Sequence, residues 1–238
     1  MPYLALPRPG ACVGIDLAGL PHRETGIAVL RAGRLELLTM AGDDDAIMAF
    51  VALAGANGTV AVNAPLSLPR GRCCLEDHCG CRHDPGTRSR ALERELLRLR
   101  VPILATGLIK VLGQRGLRLA AAIRQAGWEP LEVYPYATLR LLGLPTAGKR
   151  TQLGRRRIHH ALQALVPGLD HPAASEHQLD AVVCALTAQF WRAGQTRTVG
   201  DPTEGLMIIP ALPFAAPAAL PDDAMRRVAE DAAHYSVE

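Results

Sequence analysis

Apolar residues come in two rhythms along this chain. In the first part they form short runs bounded by turn residues: ACVGIDLAG at 11–19, TGIAVL and RLELLTM on either side of Ala32-Gly33, and TVAV at 59–62. Runs of that length and β-branched content read as strands, and the first three are expected to form an antiparallel meander. Between the third and fourth, Asp43 to Asp45 put negative charge where a helix amino terminus favours it, and AIMAFVALAGANG continues as an apolar helix ending in turn residues. Because a helix intervenes, the fourth strand can return parallel to the first and lie beside it. That pairing predicts Asp16 and Asn63 at neighbouring strand ends, the edge where open α/β sheets bind ligands.

Farther along, helical spacing takes over. SRALERELLRLR, residues 113 to 127, about 152 to 166 and 175 to 193 read as helices, while EPLEVYP at 129–135 and GLMIIP at 205–210 read as strands. Three antiparallel strands, a helix, then strands alternating with helices is the element order of a ribonuclease H-like mixed sheet flanked by helices. The expected organisation is one α/β domain over residues 1–210 with a Cys-rich loop insertion at about 70–86. An Ala/Pro-rich tail with a short acidic helix follows at 211–238. Actin-type and sugar-kinase phosphotransferases begin in the same order, so topology alone does not decide function. That class ranks last, since no second glycine-rich phosphate loop follows another strand meander.

Composition narrows the picture. With 238 residues of which 49% are hydrophobic, the chain can fill a sizeable core. No uncharged apolar stretch reaches the roughly 18 residues of a membrane helix, and the first residues lack a basic segment followed by a long apolar one, so a cytoplasmic protein is expected. A net charge of +3 creates no global field for nucleic acid, so charge must be read locally. The basic residues are 24 Arg and 2 Lys, a bias that genome base composition explains as readily as phosphate binding. Aromatics amount to 4%, which gives little support to base stacking along an extended strand.

Isolated acids fall at informative places. Asp16 closes the first strand, Glu132 lies within LEVYP, and Asp180 lies within EHQLDAVVCALTAQFW. On that helix Leu179, Val182, Val183, Leu186 and Phe190 fill one stripe, and Asp180 borders it. An acid at the edge of an apolar face asks for a cation, an arginine or a hydrogen-bond donor. Taken singly, each acid is readily a cap or an ion-pair member. Converging at one end of a sheet, they most simply ask for magnesium or manganese, the two-metal logic of phosphodiester hydrolysis.

Two basic segments could meet a phosphate. GKRTQLGRRRIHHAL, 148–162, carries Lys149, Arg155 and Arg156, with Lys149 the sharper candidate because lysine is otherwise nearly absent. In SRALERELLR, Arg90, Glu93, Arg94 and Arg98 stand at helical spacings and read first as a solvated, ion-paired helix. Separately, Cys73, Cys74, Cys79 and Cys81 cluster with His78 and His83 interleaved. In a cytoplasmic chain such density suggests structural zinc, held by Cys74, Cys79, Cys81 and a histidine, with His83 taken as the fourth ligand. Loop thiols, redox active or not, are the alternative. Cys12 and Cys184 read as core residues.

GIDLAG, the strand ending in APLSLP, RCC with its following CGC, LEVYPYATLR, EHQLDAVVCALTA and VGDPTEGLMIIP together resemble the predicted ribonuclease H-fold nucleases grouped as domain of unknown function 429. The resemblance covers about residues 11 to 210. It implies a metal-dependent nuclease acting on DNA or RNA, with Asp16, the position of Asn63, Glu132 and Asp180 as the metal-binding set. The family's usual residue at the strand-four position is Asp, and here it is Asn63. An amide can still ligate magnesium but adds no charge, so the site is expected to bind metal more weakly. Otherwise the chain is a weakened or inactive homologue that binds nucleic acid or protein.

Overall fold

The computed structural model describes residues 10–20, 22–76, 78–83, 88–170 and 174–211, excepting the side chains of 82 and 83. The tail expected after residue 211 lies outside the described residues.

Strand β1, Cys12–Asp16, is buried along its whole length, which its apolar CVGI sequence allows on both faces. It pairs antiparallel with β2, Thr25–Arg31, which pairs antiparallel with β3, Arg34–Ala41. Helix α1, Asp44–Val51, begins at Asp43, whose side chain accepts a hydrogen bond from the Ala46 amide, and carries the chain back to β4, Thr59–Val62. Strand β4 runs parallel to β1, with Ile15 opposite Val62. Helices α2, Ala91–Arg98, and α3, Lys110–Gln125, precede the short strand β5, Leu131–Val133, parallel to β4.

Then come α4, Pro135–Leu141, α5, Gln152–Gln163, and α6, Glu176–Arg192. A closing hairpin of β6, Thr196–Asp201, and β7, Gly205–Pro210, sets β7 parallel to β5. The sheet order is β3-β2-β1-β4-β5-β7-β6. This is the ribonuclease H-like mixed sheet that the element order predicts.

Two elements depart from expectation. Pro135, expected to close the fifth strand, opens α4 instead, because its fixed φ and missing N–H suit the first helical turn. Strand β6 was not expected: its TRTVGD sequence buries only Val199 fully and so shows no apolar run.

Each sheet face carries its own core. Leu179, Val182, Val183 and Leu186 of α6 pack with Cys12, Ala28 and Ala61 on one face. On the other, Ile47 and Val51 of α1 and Leu119 and Ile123 of α3 pack with Val13, Ile15 and Val60. Helix α6 lies unusually close to the sheet because two strand positions lack a side chain. A Cβ on Gly14 would stand 2.1 Å from the Ala181 carbonyl oxygen, and one on Gly26 would stand 2.1 Å from that of His177. No helix among the described residues is long and apolar enough to cross a membrane.

Candidate acidic site

The close seat of α6 on β1 and β2 builds the site. Asp16 ends β1, and the β1–β4 ladder continues one bond further, from the Asn63 amide to the Ile15 carbonyl at 2.9 Å. Asn63 Nδ2 then donates to Asp16 Oδ1 at 2.6 Å. Ser175 caps α6, accepting from the Gln178 amide at 3.1 Å, and so fixes where the first turn begins. In that turn His177 Nδ1 donates to Asp16 Oδ2 at 2.7 Å. Asp180, three residues later on the same helix face, pairs with Lys149 from the segment before α5. Asp16 and Asp180 are 5% and 6% exposed, so both carboxylates are almost sealed from solvent.

Burial and proximity then set the ionisation. Burial, and next the charge of Asp16, push the Asp180 carboxyl up to about 7, against the opposing pull of Lys149. The hydrogen bond to Asp16 holds His177 above the usual imidazole range. Burial raises Tyr134, with the charges of Tyr136 and Asp180 adding to the effect. Each acid is thus matched by one cation, Asp16 by His177 and Asp180 by Lys149.

Glu132 does not join this pair. Its carboxylate accepts from Arg90 at 2.6 and 2.7 Å through both terminal nitrogens, and from the Leu66 amide at 2.8 Å. Arg90 also donates to Glu93 at 3.0 Å through Nε and to Ser67 Oγ at 2.8 Å. This overturns the solvated reading of the segment at Arg90 and Glu93, which are 1% and 2% exposed; Arg94 and Arg98 are the ones that face solvent. The cause is tertiary: a bidentate carboxylate on β5 makes burial of the guanidinium tolerable.

A cavity of about 210 Å³ is lined by Asn63, Arg90 and Glu132 and by apolar Ile103, Leu104, Leu112 and Met207; Asn63 alone of the acidic group borders it. Asn63 faces both the cavity and Asp16. Arg155 and Arg156 lie half-buried on the first turns of α5, and Arg155 Nη1 donates to the Arg150 carbonyl at 3.1 Å.

Sequence reasoning missed two contributors. His177 stands inside a segment already singled out, and its three-residue spacing from Asp180 was the available signal. The fully buried Arg115 donates to the carbonyls of Ala18 and Leu20 at 2.7 and 3.0 Å and to Asp44, fixing the chain just after Asp16. No local pattern distinguishes it from the other arginines of α3. In the cysteine loop, Cys73 joins Cys74, Cys79 and Cys81 in one group, His78 is exposed, and the His83 side chain lies outside the described residues.

Fold and site together define a mixed α/β protein with a buried carboxylate pair at the carboxyl end of its parallel strands. The chain belongs to the family described as "Protein of unknown function (DUF429)", whose model matches residues 14–205. No curated protein and no solved structure matches it.

Proposed function

We propose that this protein hydrolyses phosphodiester bonds of nucleic acid, with Asp16 and Asp180 holding a divalent cation, Mg2+ or Mn2+. One observation carries the reading: carboxylates from β1 and α6, both nearly sealed from water, stand near enough at the sheet end for the charge of Asp16 to raise Asp180, and Asn63 links Asp16 to a cavity. Neighbouring buried acids resist joint ionisation, and a hard cation bound by oxygen relieves both. The donor set fits such an ion. Asn63 donates through Nδ2 to Asp16, which leaves its amide oxygen as the acceptor it could turn to a cation.

When bound, the cation would polarise a phosphoryl oxygen and make a coordinated water more acidic. Lys149, partly exposed beside Asp180, would meet substrate phosphate and offset charge developing there. His177, oriented through Nδ1 by Asp16, keeps its second ring nitrogen for proton transfer. Ile103, Leu104 and Met207 offer an apolar seat for a base in the cavity that Asn63 borders. Arg155 and Arg156 extend the cationic surface along α5. Glu132 acts as a positioning residue, holding Arg90 and the Leu66–Ser67 turn rather than the metal.

Asn63 supports a second reading, a non-catalytic homologue that binds nucleic acid or protein. Its amide already neutralises part of Asp16's demand for donors, which a carboxylate there could not do. Cleavage of DNA and RNA oligonucleotides with Mn2+ separates the two. The hydrolase reading expects divalent-dependent cleavage that falls at least about 100-fold in Asp16→Asn and Asp180→Asn, since even groups behind metal ligands contribute about that much. Undiminished cleavage in both variants would overturn the site. Tight oligonucleotide binding without cleavage, in the native chain and in Asn63→Asp alike, would establish the binding module.

A further inference from the structure

We propose that Cys73, Cys74, Cys79 and Cys81 form a tetrathiolate zinc site that clasps the loop between β4 and α2. The four sulfurs all lie within 4.8 Å of one another. The sulfurs stand 3.2 Å apart for Cys79–Cys81, 3.4 Å for Cys73–Cys79, 3.6 Å for Cys73–Cys81 and 3.9 Å for Cys73–Cys74. Tetrahedral thiolate coordination with Zn–S near 2.3 Å requires sulfurs about 3.8 Å apart. No pair stands at the roughly 2 Å of a disulfide, and thiols are weak hydrogen-bond donors with little reason of their own to gather in fours.

The backbone explains how neighbouring Cys73 and Cys74 can both contribute. A turn closed by the Arg72 amide on the Pro69 carbonyl at 3.0 Å precedes them, and Arg72 Nε donates to the Cys74 carbonyl at 2.8 Å. Cys81 comes back on the short 3-10 turn Gly80–His83. On binding, the thiols release their protons to solvent and four thiolates leave the group with two net negative charges, which Arg72 partly offsets. No redox step is involved, because zinc has none. Four protein ligands close the coordination sphere, so the role is structural rather than catalytic.

The loop's shoulders are tied to the fold independently. The Arg70 amide donates to Glu204 at 3.1 Å, and Leu75 is buried against α3, where a Cβ on Gly113 would stand 2.6 Å from its Cδ1. Zinc at the tip would hold Leu75 in that seat. The neighbouring Leu112 lines the cavity beside the acidic site.

The test uses the full chain purified under reducing conditions. Elemental analysis after exhaustive dialysis is expected to give one zinc per chain. Replacement by Co2+ is expected to give the intense visible absorption of a tetrahedral site with sulfur-to-cobalt charge transfer. Cys79→Ser with Cys81→Ser should abolish both signals, while the buried thiols of Cys12 and Cys184 remain. A reduced native chain that retains no zinc and gives only an octahedral cobalt spectrum would overturn the site, as would a metal-free chain carrying a disulfide among the four. The cobalt spectrum of the native chain decides the matter even if the double variant misfolds. Neither result depends on whether the acidic pair cleaves a phosphodiester.

Discussion

Asp180 shows how a single side chain ties stability to pH. Its carboxyl moves from an ordinary value of 3.8 to about 7 in the fold, because burial and Asp16 outweigh Lys149. Between those values the unfolded chain has lost the proton while the folded chain keeps it, so stability falls as pH rises from about 4 to about 7 and then levels off. His177 works in the same direction: its raised value contributes stability that is complete below the ordinary imidazole range and is lost as pH rises through the folded value. Asp180→Asn should therefore be more stable than the native chain at pH 8, by a few kcal/mol at most, with little difference at pH 4. Denaturant unfolding at the two pH values checks this; equal stability of the two chains at pH 8 would show that Asp180 carries no burial cost. At this scale the sequence marked Asp16 and Asp180 through their positions at a strand end and beside an apolar stripe. His177, Arg90 and Arg115 escaped because their partners lie 161, 42 and 97 residues away.

Among the elements, α6 and the Arg90–Glu132 pair do the positioning. Gly14 and Gly26 let α6 settle on β1 and β2, which carries His177 and Asp180 to Asp16. Arg90 joins the start of α2 to β5 through Glu132, and to the turn after β4 through Ser67. Glu132→Ala leaves a buried guanidinium short of its main partner and should cost roughly 3–5 kcal/mol, while replacing Arg90, Glu93 and Glu132 together with leucine should recover much of that loss. Urea unfolding of the two variants, alongside Mn2+ titration, tests the assignment. A Glu132→Ala chain of native stability with weakened Mn2+ binding would instead make Glu132 a metal ligand. The strands of the meander, β4 and helix α6 were legible because their apolar periods are clean. Strand β6 was not, since an edge strand paired on one side needs little apolar sequence.

For the whole molecule, element order was enough to predict the meander and β4 beside β1, because a helix between β3 and β4 leaves β4 free to run parallel to β1. The convergence of Asp16, Asn63 and Asp180 follows from that topology with α6 laid across it. What topology could not convey is the split of the acidic set, with Glu132 drawn to Arg90. The central claim is that Asp16 and Asp180 hold a divalent cation. A crystal of the native chain soaked in Mn2+ tests it most directly, through the anomalous scattering of manganese. The prediction is a peak between the two carboxylates and the Asn63 amide oxygen, with Lys149 displaced from Asp180. A map without such a peak at saturating Mn2+, with Lys149 still on Asp180 and His177 still on Asp16, would contradict it.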